Sequence, residues 1–399
     1  MKSKRLIPIV LTLVLLTTGC WNRIELEELA VIIALSVDKV RPGLYRVTFQ
    51  EVNPSGVAPQ QSGGSGQAVA VRTFSGTGPT FLEAARKASR KISRRMFVAH
   101  TRLLVIGEAM AREGIGDPLD IFQRDNELRL NTIMLIAKGK AETVLNTLTP
   151  VTKIPALSLT KSMERTEERW GENIEVDIQE VVKALASEGR DPAISGVFVV
   201  GKPEEGSKID NVTNTKTPTY PIISGVAMFK GDRLTHWIKG SEARGLLWIR
   251  DKIRGTAINL TCRKEKKTNV VEVFRSKTRV QAEPERGKPK IRITIEPEAQ
   301  MEEVHCPIDL NNPEEITRLE KQMEKVIKKE VEATVNTAQK QRSDIFGFGE
   351  VIRRADPKTW KKIKKDWDRQ FANTDVDVEV KALIRHTNRI KQPMTIQKG

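Results

Sequence analysis

The apolar and polar positions of the first twenty residues follow the three-part layout of an export signal. Three basic residues, Lys2, Lys4 and Arg5, precede an almost wholly apolar run over residues 6–16, and small residues lead from there to Cys20. The apolar run has about 11 residues, whereas a helix that spans the hydrocarbon core needs about 20. The pattern therefore predicts a signal peptide over residues 1–19 that is removed on export.

Beyond the signal, apolar runs alternate with amphipathic stretches up to about residue 200. Residues 31–38 form a largely apolar run rich in β-branched residues, which is typical of a buried strand, and the alternation over residues 45–49 predicts its hairpin partner. Residues 80–95 have the spacing of a basic amphipathic helix. Further strands are predicted at residues 68–75, 103–107, 133–137 and 194–200, and further helices from 117, at 140–148 and at 178–187. This alternation predicts a mixed α/β domain over residues 20–200.

The next stretch contains the strongest predicted domain boundary. Residues 201–219 are polar and interrupted by Pro and Gly, which is typical of a linker. A hairpin with Gly231 in its turn follows, and Ser241 is predicted to cap a helix after it. These elements predict a small middle domain of one hairpin and one helix over residues 220–255.

The remaining residues, 256–399, predict an antiparallel sheet covered by long helices. Strand patterns recur over residues 257–262, 270–282 and 290–296, and an alternating run over 376–384 is predicted to close the sheet. Asn312 and Pro313 open a helix of about 25–30 residues with an apolar stripe. Packing of this stripe across the sheet is the favoured interpretation, and a partner helix from another subunit is the alternative. The predicted fold class is therefore α+β, with two to three mixed α/β domains.

Charge and composition narrow the classes of partner. The 399 residues carry a formal net charge of +16, which falls to +13 when the three cations of the signal peptide are removed. A basic exported protein is attracted to anionic lipid headgroups within a Debye length of about 10 Å. Aromatic residues make up only 5% of the chain, so stacking platforms are scarce, and export removes the usual nucleic-acid partners. We therefore expect a membrane partner and no nucleic acid.

The chain has three cysteines, and Cys20 is assigned to the end of the signal. Cys262 and Cys306 remain, and in an exported protein such a pair can form a disulfide. The favoured interpretation is two buried free thiols on separate strands, because two cysteines in so long a chain are not a disulfide scaffold. The pairing itself is left open.

The sequence carries no recognisable catalytic or metal-binding motif. The four histidines are scattered, with no pair at the spacing of a helical metal site, and His305-Cys306 offers two ligands with nothing nearby to complete four. Gly347 and Gly349 lack the Lys-Ser/Thr of a phosphate loop, so they are predicted to let the chain turn between two helices. We expect no enzyme, no metal and no cofactor.

The end of the signal resembles the lipobox of bacterial lipoproteins. In that pattern a cysteine follows a small residue, as Cys20 follows Gly19, and its thiol receives a diacylglycerol. The pattern prefers Leu three residues before the cysteine, where this chain has Thr17. The resemblance implies that Cys20 is the lipidated first residue of the mature protein.

Several motifs together resemble the C subunits of spore germination receptors, the Ger(x)C lipoproteins. The motifs are Gly19-Cys20-Trp21-Asn22-Arg23-Ile24-Glu25, Leu29-Ala30-Val31, Asp38, His100, Leu104-Val105-Ile106-Gly107-Glu108, Phe122-Gln123-Arg124-Asp125-Asn126-Glu127-Leu128-Arg129, Asp344-Ile345-Phe346-Gly347-Phe348-Gly349-Glu350, Trp360 and Trp367. The family usually has Asp where this chain has Asn22. The resemblance covers essentially the whole chain.

The resemblance implies a lipoprotein on the outer face of the spore inner membrane. It would act as a non-catalytic subunit with two integral-membrane partners, the A and B subunits, in a nutrient receptor that triggers germination. Within the central motif, Arg124, Asp125, Glu127 and Arg129 are predicted first as a buried or capping charge network and second as a partner-binding surface. The alternative function is an extracytoplasmic solute-binding lipoprotein that captures the nutrient itself, which would require a deep cleft with converging polar groups.

Overall fold

A computed structural model describes residue 25 and residues 28–57, 69–262, 267–285, 288–306 and 308–386. The signal peptide, Cys20 and most of the polar stretch after residue 57 lie outside the described residues. Two sheets with helices packed on them make up the described part of the chain. The mixed α/β class predicted from the sequence is confirmed.

The first sheet has nine strands among the described residues, in the order β3-β2-β1-β5-β6-β7-β8-β9, and β4 pairs with the start of β1. Strands β1, β5, β6 and β7 are parallel neighbours, while the other strands on this path pair antiparallel. The bounds are β1 (Leu29–Arg41), β2 (Leu44–Val52), β3 (Val71–Gly78), β4 (Arg95–Phe97), β5 (Leu103–Gly107), β6 (Ile133–Ala137), β7 (Ala193–Val200), β8 (Tyr220–Lys230) and β9 (Arg233–Ile238). Long connections that contain helices join the parallel strands, and the connection from β1 to β5 also includes β2, β3 and β4.

Helices cover both faces of the first sheet. Buried residues of α2, α4 and α7 belong to one hydrophobic core, and those of α5 and α6 belong to the core on the opposite face. The bounds are α1 (Pro54–Val57), α2 (Phe81–Ser89), α3 (Glu108–Glu113), α4 (Gly116–Arg124), α5 (Ala141–Asn146), α6 (Pro155–Arg169), α7 (Ile178–Leu185), α8 (Pro203–Gly206) and α9 (Asp210–Thr213).

The predicted linker and middle domain take a different form in the structure. Residues 201–219 contain α8 and α9, and the side chain of Asn211 donates hydrogen bonds to the carbonyls of Leu148 and Thr219 at 3.1 and 2.8 Å. Strand β8 then pairs antiparallel with β7, so the predicted hairpin extends the first sheet. A polar stretch rich in Pro and Gly marks a long connection here, whereas strand pairing determines which sheet the hairpin joins.

The second sheet combines antiparallel and parallel pairing. Its strands are β10 (Thr256–Thr261), β11 (Thr268–Glu285), β12 (Lys288–Glu303), β13 (Val376–Val380) and β14 (Leu383–His386). The first three strands are antiparallel, as predicted. Strands β13 and β14 run parallel to β12, which differs from the antiparallel closing strand expected from the sequence. The helices between β12 and β13 form a crossover that returns the chain to the start of β12.

Five helices pack on and beside the second sheet within the described residues. They are α10 (Ser241–Ile249), α11 (Pro313–Gln341), α12 (Phe348–Ala355), α13 (Pro357–Ile363) and α14 (Trp367–Ala372), with a 3-10 turn at Lys364–Asp366. The side chain of Asn312 accepts a hydrogen bond from the Glu314 N–H at 2.9 Å, so the predicted cap is confirmed. The apolar stripe of α11 is buried against α10 and the second sheet, which confirms the favoured interpretation.

Cys262 and Cys306 form a disulfide with a Cα–Cα distance of 5.6 Å, so the prediction of free thiols is wrong. Strands β10 and β12 both pair with β11, and this register brings the end of each near the start of β11. There the Asn269 side-chain oxygen accepts hydrogen bonds from the His305 and Cys306 N–H groups, each at 2.9 Å. This strand register is not visible in the spacing of the two cysteines.

Candidate functional site

The described body of the protein begins at β1, nine residues after Cys20. Leu29–Val31 pair in parallel with β4, and Leu29 lies opposite Arg95. The polypeptide that leads from the predicted lipid anchor therefore enters the folded body beside Arg95. Cys20 itself lies outside the described residues, so its lipidation stays a prediction.

Parts of three of the family-like motifs meet at this point. An Arg95 guanidinium nitrogen is 3.7 Å from a Glu127 carboxylate oxygen, and the rings of Phe97 and His100 pack edge to face with centroids 5.1 Å apart. Arg95, His100 and Glu127 are exposed. We call the surface formed by Leu29, Arg95, Phe97, His100 and Glu127 the N-terminal surface.

The charged residues of the central motif are exposed, so the prediction of a buried charge network is wrong. Arg124 forms a hydrogen-bonded ion pair with Asp120 at 2.7 Å, but its side chain remains 78% exposed. The Asp125 carboxylate accepts a hydrogen bond from the Glu127 N–H at 2.8 Å, which caps a local turn. Only the capping role in the prediction therefore agrees with the structure. Because exposed ion pairs contribute little to stability, these residues are not what holds the first sheet together.

The position where open α/β sheets usually bind ligands is filled by a side chain of this protein. Strands β5 and β6 lead into helices on opposite faces, which creates a topological switch point. The Asp38 carboxylate occupies it and accepts hydrogen bonds from the N–H groups of Ala141 and Glu142 at 2.7 and 2.8 Å. Gly107 leaves the necessary space, since a Cβ there would lie 2.1 Å from an Asp38 oxygen. The helix start that would hold a phosphate therefore holds an internal carboxylate.

A buried carboxylate, Asp344, organises the glycine-containing turn near the C-terminus. Its oxygens accept hydrogen bonds from the four N–H groups of residues 346–349 at 2.9–3.2 Å and from the Trp367 indole at 3.1 Å. Gly347 has a φ of 80°, so the predicted turn before α12 is confirmed. The turn glycines are recognisable in the sequence, whereas the role of Asp344 depends on tertiary contacts and was not predicted. Burial raises the pKa of Asp344 to about 6, although these hydrogen bonds favour its charged form.

Asp344 is linked to the first sheet through Asp191. The Asp344 N–H donates to an Asp191 oxygen at 2.9 Å, and Asp191 also pairs with the Lys230 ammonium at 3.1 Å. Burial raises the pKa of Asp191, while Lys230 acts in the opposite direction. Lys230 also pairs with Asp368 on α14. We call Asp191, Lys230, Asp344, Trp367 and Asp368 the Asp344 junction. It fastens the β7–β8 edge to the C-terminal helices.

A cleft of about 500 Å³ lies between α6 and the loop that follows α10. Its charged lining residues are Arg102, Lys161, Glu164, Glu167, Glu168, Glu175, Lys252 and Arg254. One pair of opposite charges is close there, since Arg254 is 3.8 Å from Glu168. Glu167 instead accepts a hydrogen bond from the backbone N–H of Glu175 at 2.8 Å. Ligand pockets are usually apolar with a few convergent polar groups, and this cleft does not have that character.

The remaining candidates for chemistry are accounted for by structural contacts. Cys306 is in the disulfide, and the His305 ring lies 2.9 Å from the Glu303 carboxylate. Across the residues that the structure describes, no three His, Cys, Asp or Glu side chains are grouped as metal ligands. Over the same residues, none of the helices has both the length and the apolar character that a membrane span requires.

The chain belongs to the Ger(x)C family of spore germination proteins, whose members are receptor subunits and not enzymes. Residues 22–198 match the family model described as "Spore germination protein N-terminal domain", and residues 224–388 match "Spore germination B3/ GerAC like, C-terminal". The resemblance expected from the sequence is thereby confirmed, and the chain has a role in spore germination.

Relatives of similar length support the same assignment. The chain is 34% identical over 403 residues to spore germination protein KC of Bacillus subtilis, which covers 100% of this chain and 99% of that protein. It is 24% identical to spore germination protein B3 of Bacillus subtilis, over 95% of this chain and 97% of that one. The crystal structure of the GerBC protein matches 88% of this chain and 96% of that chain with a TM-score of 0.56 at 21% identity, which shows that the fold is shared.

Proposed function

We propose that this protein is a lipid-anchored, non-catalytic subunit of a nutrient germinant receptor. It would be attached through Cys20 to the outer face of the spore inner membrane and would act there with the integral-membrane A and B subunits. The observation that carries the proposal is the Gly19-Cys20 end of the signal together with the start of β1 at Leu29. Nine residues span at most about 30 Å, so the anchor would hold the body close to the bilayer.

The anchor has a physical consequence for assembly. One acyl chain holds a protein to a membrane only weakly, whereas two chains hold it stably. Confinement to the membrane surface raises the effective concentration of the protein for partners in the same bilayer, without any new contact. The exposed residues of the N-terminal surface are near the attachment point, and this favours them as the side that meets the A and B subunits.

The test compares Cys20→Ala with Thr17→Leu in spores. Cys20→Ala removes the thiol that receives the lipid, so we expect the protein to leave the membrane fraction and nutrient germination to be lost. Thr17→Leu restores the residue that the lipobox prefers and is the matched control, with normal fractionation and germination. If Cys20→Ala spores keep the protein in membranes and germinate normally, the anchor proposal is wrong.

The alternative, capture of the nutrient by this protein, has the 500 Å³ cleft as its candidate site. Its balanced charges suit a polar zwitterion better than an apolar or singly charged solute. Calorimetric titration of the purified protein with amino acids and sugars separates the two functions. Micromolar binding that is abolished by Lys161→Ala would favour solute capture, whereas the receptor-subunit proposal expects no binding.

A further inference from the structure

One segment of the first domain concentrates positive charge on the surface. Residues 86–95 contain six cations and no carboxylate, and all six cationic side chains are exposed. The six are Arg86, Lys87, Arg90, Lys91, Arg94 and Arg95. We call residues 86–95 the basic segment. It covers the second half of α2 and continues to the first residue of β4.

The basic segment is held on a rigid support. The opposite face of α2 is buried through Phe81, Ala84 and Ala88, and the Phe81 ring stacks on Tyr45 with centroids 4.8 Å apart. Gly76 lets the helix approach β3 closely, because a Cβ there would lie 2.1 Å from the Ala84 carbonyl oxygen. Arg86 and Lys87 therefore project from the last turn of a packed helix, and the other four cations follow its C-terminal end. The negative end of the helix dipole favours the cations nearest to it.

Among the described residues, two of these six cations have a carboxylate partner and a third donates to a backbone carbonyl. Lys87 pairs with Glu83 at 2.7 Å, Lys91 donates to the Ser75 carbonyl at 2.6 Å, and Arg95 is 3.7 Å from Glu127. Arg86, Arg90 and Arg94 form no ion pair with any residue that the structure describes. An exposed cation without a partner costs little, but three on one continuous segment attract an anionic surface.

The location of the segment identifies that surface. Arg95 lies opposite Leu29, where the chain arriving from Cys20 enters the body. The nine residue-to-residue steps from Cys20 to Leu29 reach at most about 30 Å. A lipid-anchored body can therefore turn this segment onto the bilayer within a Debye length of about 10 Å, where each cation adds attraction to anionic headgroups.

We propose that the basic segment is a second membrane contact, which binds the anionic lipid headgroups beside the anchor and sets the orientation of the body on the bilayer. This inference deepens the proposed function and rests on it for the position of the anchor. With the segment against the headgroups, the neighbouring N-terminal surface is held at the level of the bilayer. The lipid chains then provide retention, and the basic segment provides orientation.

The experiment measures flotation of the mature protein, residues 20–399 with Cys20→Ala, on phosphatidylcholine vesicles with and without phosphatidylglycerol. Without the lipid, binding depends on the protein surface, so failure of lipidation in cells and failure of this inference are separate results. We expect binding that requires phosphatidylglycerol and weakens at high salt. The triple variant Arg86→Gln, Arg90→Gln, Arg94→Gln removes the unpaired cations and is expected to lower the partition coefficient about 100-fold.

The matched control removes the same charge elsewhere. Lys361, Lys362 and Lys365 are exposed on the C-terminal helices, and the triple Lys→Gln variant at these positions has the same net charge as the first variant. The control is expected to bind vesicles nearly as well as the parent protein. Equal losses in both variants would show a general charge effect and overturn the proposal, as would unchanged binding of the first variant.

Two further readouts complete the test. Thermal melts should show that both triple variants fold, because none of the six substituted side chains has an ion pair with a residue that the structure describes. If the parent protein binds no vesicles but loses its membrane partners in co-purification when Arg86, Arg90 and Arg94 are replaced, the segment binds a protein and the lipid assignment is wrong.

Discussion

The Asp344 junction and the N-terminal surface both contain motif residues and several charges, but they use them in opposite ways. At the junction, Asp344 is 2% exposed and accepts five hydrogen bonds, and Asp191 and Lys230 are paired. At the N-terminal surface, the side chains of Arg95 and Glu127 are 61% and 53% exposed and lie 3.7 Å apart. The buried charges of the Asp344 junction hold two parts of the fold together. The exposed charges of the N-terminal surface remain accessible to a binding partner.

This difference has an energetic basis. A buried charge is tolerated only when it is fully hydrogen-bonded or paired, and removing its partners is costly. An exposed ion pair contributes about 0–1 kcal/mol because water and salt screen it. Residues of the same chemical type therefore determine stability in one region and recognition in the other. Substitutions in each region can test this difference.

The largest effect is expected from Asp344→Ala. Four backbone N–H groups and the Trp367 indole would lose their acceptor in a buried site. We expect the free energy of unfolding to fall by about 3–5 kcal/mol, measured by urea denaturation. Arg124→Ala, at an exposed motif residue, is the control and should change it by less than about 0.5 kcal/mol. Equal losses in the two variants would contradict the contrast between the regions.

Removing the disulfide should have the next largest effect. The Cys262–Cys306 bond closes a loop of sequence separation 44 within the second sheet. The double variant Cys262→Ala, Cys306→Ala is expected to lower the free energy of unfolding by about 2–4 kcal/mol, mainly because the unfolded chain gains freedom. Reduction of the parent protein should produce a similar loss, and thiol labelling of the unfolded, unreduced parent should find both cysteines blocked. Free thiols in that assay would restore the original prediction.

The elements that could be predicted from the sequence are those with a strong local pattern. Residues 31–35 are continuously apolar, and they lie within β1. Asn312-Pro313 and the stripe of α11 predicted both its start and its buried side. The hairpin turn at Gly231 was predicted correctly because its turn chemistry is local. Each of these signals arises within one element and does not depend on what the element packs against.

The features that were missed depend on contacts between distant residues. The apolar residues of helix α6 are confined to its first nine positions, and its second half is mostly charged, so its amphipathic pattern is short. The disulfide depends on the register of β10, β11 and β12, and the parallel direction of β13 depends on the crossover before it. Whether a charged motif is buried or exposed is also a tertiary property, which is why the central motif was assigned first to the interior.

A smaller change in the free energy of unfolding is expected when the pH is varied. Burial raises the pKa of Asp344 from its ordinary value of 3.8 to about 6. Between these pH values the Asp344 carboxyl is deprotonated in the unfolded chain and protonated in the folded protein. Its contribution to the free energy of unfolding is therefore complete below about pH 3.8 and is lost as the pH rises to about 6. The difference in unfolding free energy between the parent and Asp344→Asn should therefore narrow by about 1–3 kcal/mol from pH 4 to pH 7. A difference that widens over this range would show that the hydrogen bonds outweigh burial.

The smallest effect on stability, and the sharpest test of the N-terminal surface, is expected from Glu127→Ala. Glu332 is a closely matched control, because it is 51% exposed and lies 3.8 Å from Lys328, whereas Glu127 is 53% exposed and lies 3.7 Å from Arg95. Both substitutions should change the free energy of unfolding by less than about 0.5 kcal/mol. If the N-terminal surface meets the membrane partners, only Glu127→Ala should slow nutrient germination and weaken co-purification with them. Identical behaviour of the two variants in spores would show that exposure at this motif is incidental, whereas a large loss of stability in Glu127→Ala alone would return the motif to a structural role.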